Sequence, residues 1–320
     1  MTDTHRPLRA KLIFNAIAGR PEESPQQLAN ILTEMQSRQI WPEVFTVRPN
    51  SRVGAVVKNA IRRGVKLIVV AGGDGTIDCV AGAMVGSSAT LGIIPTGTRN
   101  NLALSLGIPS SIADAVALLR EGRRLEIDLG HVHSGRSNRW FLEAATVGLL
   151  SDLYPVADDI QHGDLAQIGN LLATFISSTA SYLRVILDWR DRLDTSAHMV
   201  LIANMPYLGP NFQVAPDVSS NDGLLDVFVY SDMSQMDLIS HAMQSIGGAA
   251  VEDARIQHYR VRHLKIHSDP PMPVLADGVL LDLGPVTALV RPRALTIMAG
   301  AGIGEQPVAS PAIHSEGVSQ

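Results

Sequence analysis

The chain has 320 residues, 46% hydrophobic and 18% charged, with a single cysteine and a formal net charge of -5. That composition excludes a largely disordered chain, a disulfide-stapled scaffold and a constitutive nucleic-acid binder, whose footprint would be basic. No apolar run reaches the ~18 residues of a membrane span and no signal peptide is visible, so the expectation is a cytoplasmic protein whose membrane contact is peripheral and transient.

Residues up to about 125 alternate strand and helix signals, the pattern of a parallel α/β sheet. Strands are expected at 11–15, 43–47, 66–71 and 90–94. Helices are expected from Ser24, as N-cap before Pro25, to about Arg38, then at 51–63, 77–85, 100–106 and 111–120. Gly64 and Gly122 follow two of them as stop signals. Ser111 and Asp114 have the spacing of a capping box. Beyond Leu125 strands dominate, at 125–132, 140–147, 199–204, 225–230, 259–267, 286–290 and 295–298. Two helices, at about 164–183 and 234–245, interrupt them. The fold expected is therefore α/β plus β-rich: a parallel α/β domain followed by a second, largely antiparallel β domain. The polar stretch 305–320 is expected to be a disordered tail.

Two turns carry the chemistry. The strand at 66–71 runs into Gly72-Gly73-Asp74-Gly75-Thr76, and the strand at 90–94 into Pro95-Thr96-Gly97-Thr98-Arg99-Asn100. In a parallel sheet both turns lie at the carboxyl edge, where ligands bind. Glycines let the backbone approach a ligand, and exposed N–H groups before a helix favour an anion. Thr76 and Thr98 add hydroxyl donors, so phosphate is the natural guest. A P-loop is excluded because neither turn supplies its lysine, and a dinucleotide fingerprint because Asp78 stands at its third glycine. Asp74 beside phosphate calls for a cation, which points to Mg²⁺ with a nucleoside triphosphate. A tight turn without function is the competing reading for a lone Gly-Asp-Gly. Two Gly-Thr turns after successive buried strands weigh against it.

These turns resemble those of the diacylglycerol kinase catalytic family of lipid kinases. Further matches are Phe141 to Gly148, Asn204 and Gly209, Ala215-Pro216, Asp222-Gly223-Leu224-Leu225-Asp226-Val227 and Asp277-Gly278, so the resemblance covers roughly residues 10–300. It implies a parallel α/β nucleotide-binding domain to which the chain returns at its end (9–125 with 288–304) and a largely antiparallel β-sandwich that takes the lipid substrate (126–287), with the active site in the cleft between them. It implies ATP- and Mg²⁺-dependent phosphorylation of a lipid hydroxyl at a membrane surface. ATP would lie on Gly72, Gly73, Asp74, Gly75, Thr76, Ile77 and Asp78 and on Gly97, Thr98 and Asn100, with Asn15 and Thr46 nearby. Asp277 would be the general base, acting with Asp74. A structural Mg²⁺ would use Asp222 and the carbonyls of Ser219 and Leu224.

Three motifs depart from the family pattern. The N-terminal Asn-Pro-x-Ser-Gly motif is reduced to Asn15-Ala16-Ile17-Ala18-Gly19, the Asn-Asp pair is Asn100-Asn101, and the late Asp-Gly-Glu motif ends in Val279. A catalytically impaired nucleotide- or lipid-binding protein is therefore one alternative, and an NAD kinase, which shares a Gly-Gly-Asp-Gly-Thr turn, is another. The acceptor lipid and the oligomeric state, a homodimer included, stay open. His131 with His133 and His263 with His267 read as polar faces of strands rather than metal sites. Cys79 reads as a small buried filler, and Trp189 with its flanking Arg and Asp residues as a solvated hairpin turn.

Overall fold

Strands β3 (Leu67–Gly72) and β4 (Thr90–Pro95) are buried at every residue, as continuous apolar runs in the middle of a parallel sheet should be. The computed structural model describes residues 7–151, 179–206, 218–234, 236–238 and 253–300. Strand β1 (Leu8–Asn15) pairs in parallel with β3 on one side and with the edge strand β2 (Ile40–Val47) on the other. Helices α1 (Ser24–Ser37), α2 (Val53–Arg62), α3 (Asp74–Met84), α4 (Asn101–Ser105) and α5 (Ile112–Glu121) fall between the strands. Helix α1 packs on α5 and α2 on α3. The Ser111 hydroxyl caps α5 through the Asp114 N–H, as its spacing predicts. Ser24 is not a cap. A 3₁₀ turn at Pro21–Glu23 leads into α1, and Ser24 is its first residue. Cys79 is exposed on α3, which corrects the expectation of a buried filler.

The chain leaves this layer through β5 (Arg123–Ser134). Its partner is the last strand, β15 (Val286–Ala299), antiparallel along almost its whole length. The first half of β15 pairs with β12 (His263–Asp269), and its second half pairs in parallel with β4. One two-stranded ribbon thus runs through both layers. Pairing slips between Arg291 and Leu295, where residues 292–294 bulge opposite Asp128. The side chains divide at the same place. Ile127, Leu129 and Leu295 join the core of the parallel sheet, and Val132, Val286 and Ala288 join a second core.

That second core is built from β6 (Ser137–Phe141), β7 (Ala144–Gly148), β8 (Ser181–Leu187), β9 (Asp191–Ala203), β10 (Leu225–Ser231), β11 (Ile256–Val261), β13 (Val274–Ala276) and β14 (Val279–Leu281), with β12. The expected helix over 164–183 falls mostly outside the described residues, but it does not reach Leu183. Residues 181–187 form β8, whose buried and exposed positions alternate with period two. Asp188 and Trp189, both at positive φ, turn β8 back into β9, as the hairpin reading predicts. The expected single strand 259–267 is two, because Asp188 accepts hydrogen bonds from the Arg262 and His263 N–H groups at the break. Residues 209, 215 and 216 of the resemblance, most of the expected helix 234–245 and the tail 305–320 lie outside the described residues.

Candidate active site

The two glycine turns touch. A Cβ on Gly97 would stand 2.4 Å from the Gly73 Cα, so this contact exists only between glycines. Asn100 closes the second turn from within. Its Oδ1 accepts the Gly97 N–H at 3.0 Å and its Nδ2 donates to the Gly97 carbonyl at 2.8 Å. Asn15, at the end of β1, donates from Nδ2 to the Thr76 hydroxyl at 2.8 Å and packs on Gly72. The Ile77 side chain is fully buried in the core, so only its backbone faces the turn. Thr46 is exposed on the edge strand, two strands from β3.

Beside the turns opens a cleft of about 590 Å³. Gly73, Asp74, Gly75, Asp78, Thr98 and Arg99 form one wall; Leu142, Glu143, Ala144, Leu275, Asp277 and Val279 form the other. The backbone N–H groups of Asn101, Leu102 and Asn100 favour the Asp74 carboxylate against its burial, yet its Oδ1 is buried without a hydrogen-bond partner. An orphaned carboxylate oxygen at a phosphate-sized turn fits a cation or its water. Asp78 forms a close ion pair with Arg139 of β6. Asp277, at a positive φ of 41°, receives three backbone N–H groups: Leu142 at 2.6 Å and Glu143 and Ala144 at 3.1 Å. Glu143 accepts from the Asn101 side chain at 3.3 Å.

Burial raises all four of these acids. Loss of solvent lifts Asp78 to about 6 against the pull of Arg139. It lifts Asp277 to about 7, with the Asp78 charge adding to it. Burial raises Glu143 well above the carboxylate range, with Asp277 and Asp74 contributing, and it also raises Asp74.

The structure brings Asp74 and Asp277 to one cleft and sets Gly72, Gly73, Gly75, Thr76, Asp78, Gly97, Thr98 and Asn100 around its turns. Ser219, Asp222 and Leu224 lie elsewhere, on the loop before β10. There Asp222 accepts the Leu224 N–H at 3.0 Å through Oδ1 and forms a close ion pair with Arg260 through Oδ2. Both oxygens are engaged and a guanidinium supplies the positive charge. That arrangement does not fit a divalent ion.

Sequence reasoning missed Glu143, Arg139 and Asp128. Glu143 left a signal: it is the one charge in the apolar run from Trp140 to Leu150. Arg139 left none.

Two family models match the chain. One, the diacylglycerol kinase catalytic domain, covers residues 9–132, and the other, the YegS C-terminal NAD kinase beta sandwich-like domain, covers residues 160–299. Residues 9–132, up to near the end of β5, thus match a diacylglycerol kinase catalytic domain, and the second match begins after β7. A diacylglycerol kinase of Bacillus subtilis is 26% identical over 286 residues, which are 84% of this chain and 89% of that protein. A probable lipid kinase YegS-like of Klebsiella pneumoniae is 28% identical over 232 residues, 69% of this chain and 73% of the relative. A solved structure of a putative diacylglycerol kinase from Bacillus anthracis shares the fold at a TM-score of 0.74 and 22% identity, covering 92% of this chain and 98% of that one. The α/β plus β-sandwich architecture is therefore the family's. Among the described residues no helix is long and apolar enough to cross a membrane.

Proposed function

We propose that this protein is an ATP- and Mg²⁺-dependent lipid kinase that transfers the γ-phosphate to a lipid hydroxyl. The observation that carries the reading is the composition of the cleft. One wall is a glycine cradle with hydroxyl, N–H and guanidinium donors beside Asp74 and Asp78; the other is apolar apart from Glu143, Asp277 and Thr146. A triphosphate suits the first and an acyl-bearing alcohol the second. Mg²⁺ bound with the nucleotide would shield the phosphate oxygens from the incoming oxygen. Asp74, at the turn, is the residue placed to meet that cation, and a cleft carboxylate takes the hydroxyl proton.

The acceptor must be met at a bilayer. A net charge of -5 gives no general attraction to anionic lipid. The β13–β14 hairpin offers a local apolar surface instead. Val279 lines the cleft, and Leu280 and Leu283 beside it are 58% and 61% exposed.

The test is a panel assay with labelled ATP, Mg²⁺ and vesicles carrying diacylglycerol, a glycerophospholipid or a sphingoid base, with NAD in a parallel arm. Label in one of the lipids is the expected result. Label in NAD, or nucleotide binding with no transfer to any acceptor, would overturn the reading.

A further inference from the structure

The described residues that line the cleft include four acids, Asp74, Asp78, Glu143 and Asp277, and one cation, Arg99. A triphosphate keeps a net negative charge even with its metal bound, so a site that works on one needs positive charge at the phosphates. The neighbouring Arg139 guanidinium is spent on Asp78 in a close ion pair. Arg99 is the cation on the cleft wall itself.

The second glycine turn fixes where Arg99 starts. Gly97 lies against Gly73 of the first turn. Asn100, at a positive φ of 53°, grips Gly97 twice, its Oδ1 accepting the N–H at 3.0 Å and its Nδ2 donating to the carbonyl at 2.8 Å. Residue 99 therefore projects from a closed loop whose base rests on the phosphate turn. Its side chain is half-buried. Its charge is felt at Asp74: burial raises that carboxyl, and Arg99 joins the N–H groups of residues 100–102 in opposing the rise. The Asp74 Oδ1, buried without a partner, is the oxygen placed for a cation. A carboxylate and a guanidinium thus flank one turn. The family pattern has acids where this chain has Asn101 and Val279. Losing both shifts the balance at the turn towards positive, which favours an anionic transition state.

We propose that Arg99 is a catalytic residue that holds the γ-phosphoryl group and neutralises the charge gathering on it during transfer. This rests on the lipid-kinase reading above. In the step, the acceptor oxygen bonds to the γ-phosphorus and the bond from that phosphorus to the β,γ-bridging oxygen breaks. The leaving electron pair goes to ADP, and the hydroxyl proton goes to the Asp277 carboxylate. The planar guanidinium donates to the γ-phosphoryl oxygens through a fork of N–H groups, a geometry that a point charge does not offer.

The experiment compares wild type with Arg99→Gln in two ways. One is calorimetric titration, in Mg²⁺, with ADP and with the non-hydrolysable β,γ-imido analogue of ATP. The other is turnover of labelled ATP on vesicles of whichever lipid the wild type phosphorylates. Only the analogue carries a γ-phosphoryl group. Arg99→Gln should bind ADP within about threefold of wild type and the analogue about tenfold or more weakly. Its kcat should fall by about 10²–10³-fold. Equal losses for the two nucleotides would mean that Arg99 only shapes the turn, and would overturn the proposal. A kcat within about threefold of wild type would overturn it too. Should Arg99→Gln melt more than about 4 °C lower, Arg99→Ala with added guanidinium ion is read instead. Recovery of turnover by guanidinium sustains the assignment, and no recovery overturns it. A wild type that phosphorylates no lipid would overturn the kinase reading itself, a result distinct from an active Gln variant.

Discussion

Two glycines, one from each turn, have different jobs, and alanine separates them. On Gly97 a Cβ would stand 2.4 Å from the Gly73 Cα and 2.9 Å from the Asn100 side chain, so the two turns must part. Gly97→Ala is expected to cost about 1–3 kcal/mol, seen as a lower urea midpoint, and to weaken ADP binding with it. Around Gly75 nothing lies within 4 Å of the added atom. Gly75 is inside α3 and lines the cleft, so Gly75→Ala should keep or slightly raise stability while still weakening ADP, measured by calorimetric titration. Equal stability losses in the two variants would refute the close contact. The acid cluster gives a second prediction. Glu143 titrates above the ordinary carboxylate range and Asp277 near 7 in the folded chain, so the folded state holds protons that the unfolded state releases. Stability contributed by these groups is therefore full at low pH and lost as pH rises towards and past 7. His131, His198 and His263, lowered by burial, act in the opposite direction, so the test is a difference. Glu143→Gln should be more stable than wild type at pH 8, and the gap should close only as pH falls below the unfolded value of 4.5. A gap independent of pH would show that Glu143 is ionised throughout.

At the scale of elements, the parallel layer was legible because its strands are continuous apolar runs and its helices carry glycine stops and a capping serine. Strand β8 was not. Its alternating residues follow directly on an apolar stripe at helical spacing, and nothing in the sequence marks where one period gives way to the other. Strands β13 and β14, of three residues each, are too short to show any period. The site divides the same way. Its glycine turns were legible because their residues are adjacent in sequence. The link from Asp277 to Leu142, across 135 positions, was not. The β13–β14 hairpin is where an unread element bears on function. Fully burying a leucine is worth about 1.5–3 kcal/mol, so Leu280 on the hairpin and Leu283 just after it, both exposed, could tether the protein to a bilayer without net charge. The double variant Leu280→Ser, Leu283→Ser should bind neutral vesicles at least about tenfold more weakly in a sedimentation assay. Its rate on a short-chain, water-soluble acceptor should stay at the wild-type value. Unchanged vesicle binding would move the membrane contact to another surface.

For the whole molecule, the decisive feature is the β5–β15 ribbon that runs through both cores. The sequence showed its pieces, with Pro292 interrupting the second strand, but pairing across more than 150 residues has no local signature. What locks the ribbon at its crossing is Asp128, a fully buried aspartate. Its Oδ1 accepts the Arg293 N–H of the bulge at 2.7 Å, and its Oδ2 accepts the Gly223 N–H at 2.6 Å. Its own N–H donates to the Ser220 carbonyl at 2.6 Å. One side chain therefore joins β5, the bulge of β15 and the 218–224 loop where the two cores meet. Removing it strands two backbone donors, at about 1–3 kcal/mol for each group left buried without an acceptor. Asp128→Ala should lower the melting temperature by several degrees and speed amide exchange at Gly223 and Arg293 together. It should also weaken turnover more than ADP binding, because the glycine cradle lies wholly within the parallel layer while the cleft needs both walls. A variant that melts like wild type would show that the ribbon's backbone pairing holds the two layers without this carboxylate.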